Sequence, residues 1–293
     1  MYGRILNVFV LSLLSIITVQ AQNYQLVWGD EFDTNTLGKN WNAVTVSSPY
    51  NNELEYYTPR QKNVTIENGN LVITACRENY GGKMFTSGRV NSKQKVYFTH
   101  GKIEASIKLP RLANGLWPAF WMMGEDEDVH PWPACGEIDI MEMGEHGGIS
   151  SNQTGRWIGG TIHWGEDAQH HQQWSDQGQH AYDYDLAGDG KYHVYTMTWD
   201  DTYIKMYIDH SDKPYFTAAI NKSIDSRITS DMYMHKPFYI IFNLAVGGNF
   251  TNILNPDGIT ALPSEGSEAK IYVDYVRVYQ EKGQKNIVSP DSH

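Results

Sequence analysis

Acidic residues with a spacing suited to acid–base chemistry lie together in Gly136-Glu137-Ile138-Asp139-Ile140-Met141-Glu142-Met143-Gly144. Successive side chains of a strand point to opposite faces, so Glu137 and Asp139 share one face while Ile138 and Ile140 take the other. Strict alternation would leave Glu142 on the apolar face. One extra residue, a bulge near Met141, returns it to the acidic face. The Glu137 and Glu142 backbones are then separated by roughly four strand steps, about 13 Å, a gap that two Glu side chains leaning together can close. Carboxyl pairs about 5–5.5 Å apart hydrolyse glycosides with retention, whereas about 6.5–9.5 Å suits inversion, and the spacing alone leaves both open. Asp139 raises the energy of charging its neighbours and can share a proton with Glu137. A solvated edge strand with one charged face is the plainer alternative. Against it, the flanks are apolar and aromatic, and carboxylates crowded on one face repel one another.

Strands are needed to hold such a row, and the chain is rich in them. Leu71–Thr74, Lys102–Ile107, His193–Met197, Tyr203–Ile208 and Ile271–Val276 alternate or are β-branched and aromatic, with turn residues such as Asn68-Gly69-Asn70 and Asp189-Gly190 between the runs. No helical period is sustained beyond two or three turns. Many short strands with Gly-rich turns predict an all-β protein, a β-sandwich or jelly roll. No internal repeat or Pro/Ser-rich linker divides it, so one domain is expected. The polar stretch from Glu166 to Gly190, rich in His, Gln and Asp, reads as a long loop that could shape one end of a cleft. The last residues from Lys282 read as a frayed tail.

Composition narrows the partners. The 293 residues carry a formal net charge of −11, which disfavours nucleic acid and anionic membranes and suits a neutral substrate. Aromatic residues make up 13%, with nine Trp and nineteen Tyr, enough both to fill a core and to offer faces for sugar rings. Residues 1–21 have the order of a secretory signal peptide: Arg4, an apolar run from Ile5 to Val19, and a small residue at Ala21. Export is therefore expected, to the outside, the periplasm or the cell surface, with no membrane span in the mature chain. Cys76 and Cys135 are the only cysteines; a disulfide is permitted in that compartment but does not follow from the sequence. The expected layout is a leader at 1–21, a catalytic domain at 22–283 and a tail at 284–293, working as a monomer.

The chain resembles glycoside hydrolase family 16, particularly its laminarinase-like members, through ordered blocks spanning nearly its whole mature length. These are Trp28-Gly29-Asp30-Glu31-Phe32, Asn51-Asn52-Glu53-Leu54-Glu55-Tyr56-Tyr57, Gly101-Lys102-Ile103-Glu104-Ala105, Gly115-Leu116-Trp117-Pro118-Ala119-Phe120-Trp121-Met122-Met123-Gly124, the acidic strand with its E-I-D-x-x-E signature, Gly160-Thr161-Ile162-His163-Trp164, Asn243-Leu244-Ala245-Val246-Gly247-Gly248, and Val273-Asp274-Tyr275-Val276-Arg277-Val278-Tyr279. The resemblance implies a concanavalin-like β-jelly roll whose concave face is an open groove. It implies Glu137 as nucleophile, Asp139 as supporting carboxylate and Glu142 as acid/base in a double displacement through a glycosyl-enzyme.

Further roles follow from the same resemblance. Trp117 and Trp121 would be sugar platforms, or else core aromatics under the groove. Asn51, Glu53 and Arg89 would bind the non-reducing side, Asn243 would lie in the groove, and His163 would hydrogen-bond substrate or Glu142. The bland alternatives are a sheet-surface cation for Arg89 and a satisfied core histidine for His163. No cofactor is needed for catalysis; Glu31, Gly69 and Asp274 match positions that hold a structural calcium in many relatives. Where Glu55 stands, laminarinase-like members commonly carry Gln, and the 166–190 stretch has no close match to the family pattern. The implied substrate is a β-1,3- or mixed β-1,3/1,4-glucan. An endo-β-galactosidase acting on poly-N-acetyllactosamine, mucin glycans or other galactans uses the same mechanism, and a non-catalytic lectin uses the same fold.

Overall fold

The computed structural model describes residues 24–175, 180–284 and 286–290; the leader expected at 1–21 lies outside them. Two antiparallel sheets pack face to face. The outer sheet runs, in order, Phe216–Ala219, Tyr203–Ile208, His193–Trp199, Gly101–Lys108, Glu268–Glu281, Asn70–Tyr80, Lys83–Ser87 and Glu55–Tyr57. The last two of these run parallel. Strands Tyr24–Asp30 and Val64–Glu67 add to Glu268–Glu281 and Asn70–Tyr80. The inner sheet runs Gln172–Ser175, Trp157–Trp164, Glu137–Met143, Leu116–Gly124, Phe238–Val246, Arg89–Asn91 and Asn42–Ala43. This is the expected β-jelly-roll sandwich.

Period-2 patterning builds the core between the layers. Leu116, Phe120 and Met122 of one inner strand and Ile103, Ala105 and Ile107 of an outer one belong to a single buried cluster. The expected turn at Asn68-Gly69 joins Val64–Glu67 to Asn70–Tyr80 with both residues at positive φ, 51° and 73°, the backbone of a type I′ hairpin. Among the described residues no helix is long and apolar enough to cross a membrane.

Two segments depart from expectation. The polar 166–190 stretch is not all loop: Gln172–Ser175 and His180–Ala181 pair with Trp157–Trp164 and widen the inner sheet. An exposed sheet edge offers unpaired backbone groups that even a polar segment can satisfy. The tail does not simply fray, because Ile287–Val288 pairs with Tyr97–Phe98 and Ile287 packs against the core. Cys76 and Cys135 are both buried and free.

Candidate active site

The acidic strand lies between Leu116–Gly124 and Trp157–Trp164 and takes its register from both. Glu137 faces Met123 and His163, Asp139 faces Trp121 and Thr161, and Glu142 faces Ala119 and Gly159. Both neighbours thus place Glu137 and Glu142 four residues apart, although five separate them in sequence. The difference is a bulge: Ile140 has no register partner, and Ile138, Ile140, Met141 and Met143 all point into the core. Opposite the bulge stands Gly160, where an added Cβ would come within 2.6 Å of Met206 Sδ. The Tyr215 hydroxyl, buried beneath the sheet, donates to the carbonyl of Ile140. The predicted bulge is therefore present, one residue earlier than Met141, and it turns all three carboxyl groups into the groove.

Aromatic side chains wall this row. Trp117 Nε1 donates to Glu142 Oε1 at 2.9 Å, and its ring stacks on Phe250 with centroids 4.7 Å apart. Gly144 ends the acidic strand at φ 93°, and a Cβ there would fall 2.0 Å from the Leu116 carbonyl oxygen, so only glycine lets the chain pass so close to the backbone carrying Trp117. Trp121 Nε1 donates to Asn243 Oδ1 at 2.7 Å, and the Arg89 guanidinium lies 4.8 Å from the Trp121 ring centroid. Asn243 Nδ2 donates to Tyr57 Oη at 3.1 Å, and Tyr57 Oη donates to Glu53 Oε2 at 2.9 Å. Both Trp117 and Trp121 are partly exposed, and Trp121 packs against the buried Met123, Cys135, Tyr239 and Ile241. Asn51 lies at the rim, exposed, its carbonyl accepting the Asn249 N–H at 2.8 Å.

Opposite Glu137, His163 has its Nε2 3.2 Å from Asp139 Oδ2 and 4.0 Å from Glu137 Oε1, and among the described residues it makes no hydrogen bond to Glu142. Its Nδ1 meets His171 Nε2 at 2.9 Å, and His171 lies 4.8 Å from the Trp132 ring. Donor atoms of Glu137, Asp139 and His163 all lie within 4.8 Å of one another, close enough for a divalent ion to be gripped there.

Electrostatics favour protons in this cluster. Burial, then the charge of Asp139, pushes the Glu137 carboxyl up to about 8, with His163 opposing. Burial pushes Glu142 up to about 7, with His163 and the Trp117 hydrogen bond pulling it back. Asp139 is raised well above the usual carboxylate range by burial and by Glu142. Groups this close titrate as a unit, so burial and mutual repulsion together favour a proton held within the cluster.

The residues matched to calcium positions lie away from this groove. Strand pairing sets Val273 beside Leu71 and Asp30 beside Val276, which brings Glu31, Gly69 and Asp274 to one end of the outer sheet. The Glu31 carboxylate is already gripped by both arms of Arg277, at 2.8 and 2.7 Å. The Asp274 carboxylate is exposed, and carboxylate and main-chain oxygens are the ligands a hard cation takes.

Several site residues were not singled out by sequence: Tyr57, Trp132, His171, Phe250 and Tyr215. Trp132 carried a signal, standing five residues before Glu137. His171 lies eight residues beyond His163, within the polar 166–190 stretch, while Tyr57, Phe250 and Tyr215 reach the site from far away in the chain.

Comparison with known proteins bears on this geometry. A family model described as beta-glucan synthesis-associated protein SKN1/KRE6/Sbg1 matches residues 12–127. The clotting factor G alpha subunit of Tachypleus tridentatus is 33% identical over 276 residues, 92% of this chain and 36% of that protein. The glucan endo-1,3-beta-glucosidase of Cryptopygus antarcticus is 33% identical over 84% of this chain and 89% of its own. This chain thus spans little more than a third of the Tachypleus protein but most of the Cryptopygus one. A solved GH16 structure from the Bacteroides ovatus mixed linkage glucan PUL, in complex with a G4G4G3G product, is 38% identical with a TM-score of 0.75, covering 86% of this chain and 100% of that one.

Proposed function

The chain belongs to glycoside hydrolase family 16, and from that premise we propose that it is a retaining endo-β-glycanase cutting internal bonds of a β-1,3- or mixed β-1,3/1,4-glucan. The observation that carries the reading is the bulged acidic strand, which turns Glu137, Asp139 and Glu142 into one groove beside Trp117 and Trp121. The solved relative bound to a G4G4G3G product and the Cryptopygus glucan endo-1,3-beta-glucosidase support the choice of glucan.

In this reading a carboxylate oxygen of Glu137 attacks the anomeric carbon while Glu142 gives its proton to the departing glycosidic oxygen. The C–O bond to the leaving sugar breaks and a glycosyl ester forms on Glu137. Glu142, now ionised, takes a proton from water as that water attacks the same carbon, and Glu137 leaves as carboxylate. Two inversions give net retention. For the first attack Glu137 must be ionised, so the proton it shares with Asp139 resides on Asp139 in the reactive form, with His163 Nε2 standing 3.2 Å from Asp139 Oδ2. Trp117 and Trp121 carry sugar rings, while Arg89, Asn51, Glu53 and Asn243 line the non-reducing side. Trp132 and His171 border the opposite side, where the leaving portion would lie.

Secretion by way of residues 1–21 fits a polymer substrate too large to enter a cell. A calcium ion at Glu31, Gly69 and Asp274 would act on stability only, far from the reacting bond. The test is product analysis after incubation with laminarin, mixed-linkage glucan and mucin O-glycans in parallel. Short glucose oligomers support the proposal. Galactose-terminated fragments from the mucin sample alone would replace glucan by galactan, and no product from any of the three would leave only a binding role.

A further inference from the structure

Glu55 has no part in the reaction just described, yet it is a fully buried carboxyl group one strand away from the groove. Its Oε2 accepts the N–H of Val246 at 2.7 Å. Its Oε1 is buried and meets no donor among the described residues. Burial above all, and then the neighbouring Glu53 carboxyl group, hold the Glu55 carboxyl well above the ordinary carboxylate range. Two carboxylates cannot hydrogen-bond each other, and a buried unpaired charge is strongly unfavourable. A single proton resolves both problems, because it removes the charge and turns the orphaned oxygen into a donor.

The placement of that proton matters for the groove. Trp121 donates to Asn243, Asn243 to Tyr57, and Tyr57 to Glu53. Every donor along this chain points the same way, and Glu53 is the acceptor at its end. We propose that Glu55 is a neutral carboxylic acid donating its proton to Glu53, and that it is thereby a positioning residue for the wall formed by Glu53, Tyr57, Asn243 and Trp121. The β-glycanase reading is needed for what the wall binds, not for where the proton sits.

The surrounding charges allow this arrangement. Glu53 is the carboxyl group nearest Glu55 on its own segment, and Lys83, on the neighbouring strand, donates to the main-chain oxygen of Glu53 at 3.2 Å. Arg89 lies near Tyr57 from the inner sheet, and Glu142 lies within the field of Glu53 from the acidic strand. Loss of the Glu55 proton at alkaline pH would set two carboxylates against each other and free Glu53 from one of its two donors. The wall would loosen, so substrate binding would weaken while the proton transfers at Glu137 and Glu142 continued on their own limbs.

The test combines a spectrum with a kinetic split. The infrared difference between wild type and Glu55→Gln at neutral pH should show the C=O stretch of a protonated carboxylic acid in the wild type alone. KM of the wild type should rise about tenfold on the alkaline side, as one buried hydrogen bond is lost. In Glu55→Gln, whose amide donates at every pH, that rise should be absent while the kcat limbs stay where they were. Glu55→Leu should carry the raised KM across the whole range. A carboxylate signature at neutral pH, or superimposable KM profiles for wild type and Glu55→Gln, would overturn the proposal even if Glu55→Leu failed to fold. Lack of turnover on any glucan would instead sink the β-glycanase reading and leave the infrared band to decide the proton.

Discussion

Replacing Tyr215 by Phe removes one oxygen atom, and that atom holds the backbone carbonyl of Ile140. Ile140 is the residue that neither neighbouring strand pairs with, so its carbonyl depends on the tyrosine. Tyr215 is 3% exposed, and Phe fills the same space without admitting water. A buried carbonyl stripped of its donor costs about 1–3 kcal/mol, which for a domain of this size lowers Tm by roughly 2–4 °C per kcal/mol. The kinetic effect should be larger than the stability loss suggests. The bulge decides which face Glu142 occupies, and a displacement of about 1 Å at a reacting group can reduce turnover by about a hundredfold. Tyr215→Phe should therefore melt roughly 2–12 °C lower and lose about 10- to 100-fold in kcat, with KM little changed. Calorimetry and initial rates on mixed-linkage glucan measure both. A Tm within about 1 °C of wild type together with kcat within about twofold would mean that the bulge stands without Tyr215.

Other perturbations separate the carboxyl groups. Glu142→Gln should cut activity on polysaccharide by about 10²- to 10⁴-fold and spare an aryl glycoside whose leaving group needs no proton, as rate assays on both substrates would show. In Trp117→Phe the indole hydrogen bond that stabilises ionised Glu142 is gone, so the alkaline limb of kcat should move to higher pH than in wild type. Glu137, Asp139, Glu142 and Glu55 all have folded-state pKa values raised above the ordinary range. Their contribution to stability is then complete below the unfolded value and is lost as pH rises through the folded one. Tm should accordingly fall between about pH 5 and 8, and Glu137→Gln, which cannot ionise, should melt above wild type at pH 8 by calorimetry.

Much of the site was legible because it breaks a period. Glu142 is out of phase with Glu137 and Asp139, and only a bulge reconciles the three, which is what the pairing of the acidic strand displays. Trp117 and Trp121, four apart on one strand, had to share a face with Ala119. The partner of His163 was not legible, since it depends on register: the two strands pair so that His163 stands opposite Glu137, five residues from Glu142 along the acidic strand. Phe250, Tyr57 and Tyr215 were hidden for a related reason. Each is one aromatic residue among many, and only the folding of distant loops brings it to Trp117, Glu53 or Ile140. The edge strands within 166–190 were masked by a polar composition that suits a solvent-facing edge as well as a loop.

The account rests on Glu137 becoming covalently attached to sugar, and the stereochemistry of the first product reports on that most directly. Proton NMR of fresh hydrolysate from mixed-linkage glucan, recorded before mutarotation, resolves the new reducing end. Double displacement predicts that the β-anomer appears first and the α-anomer only later. An α-anomer appearing first would mean a single displacement by water, and the nucleophile role assigned to Glu137 would not survive it.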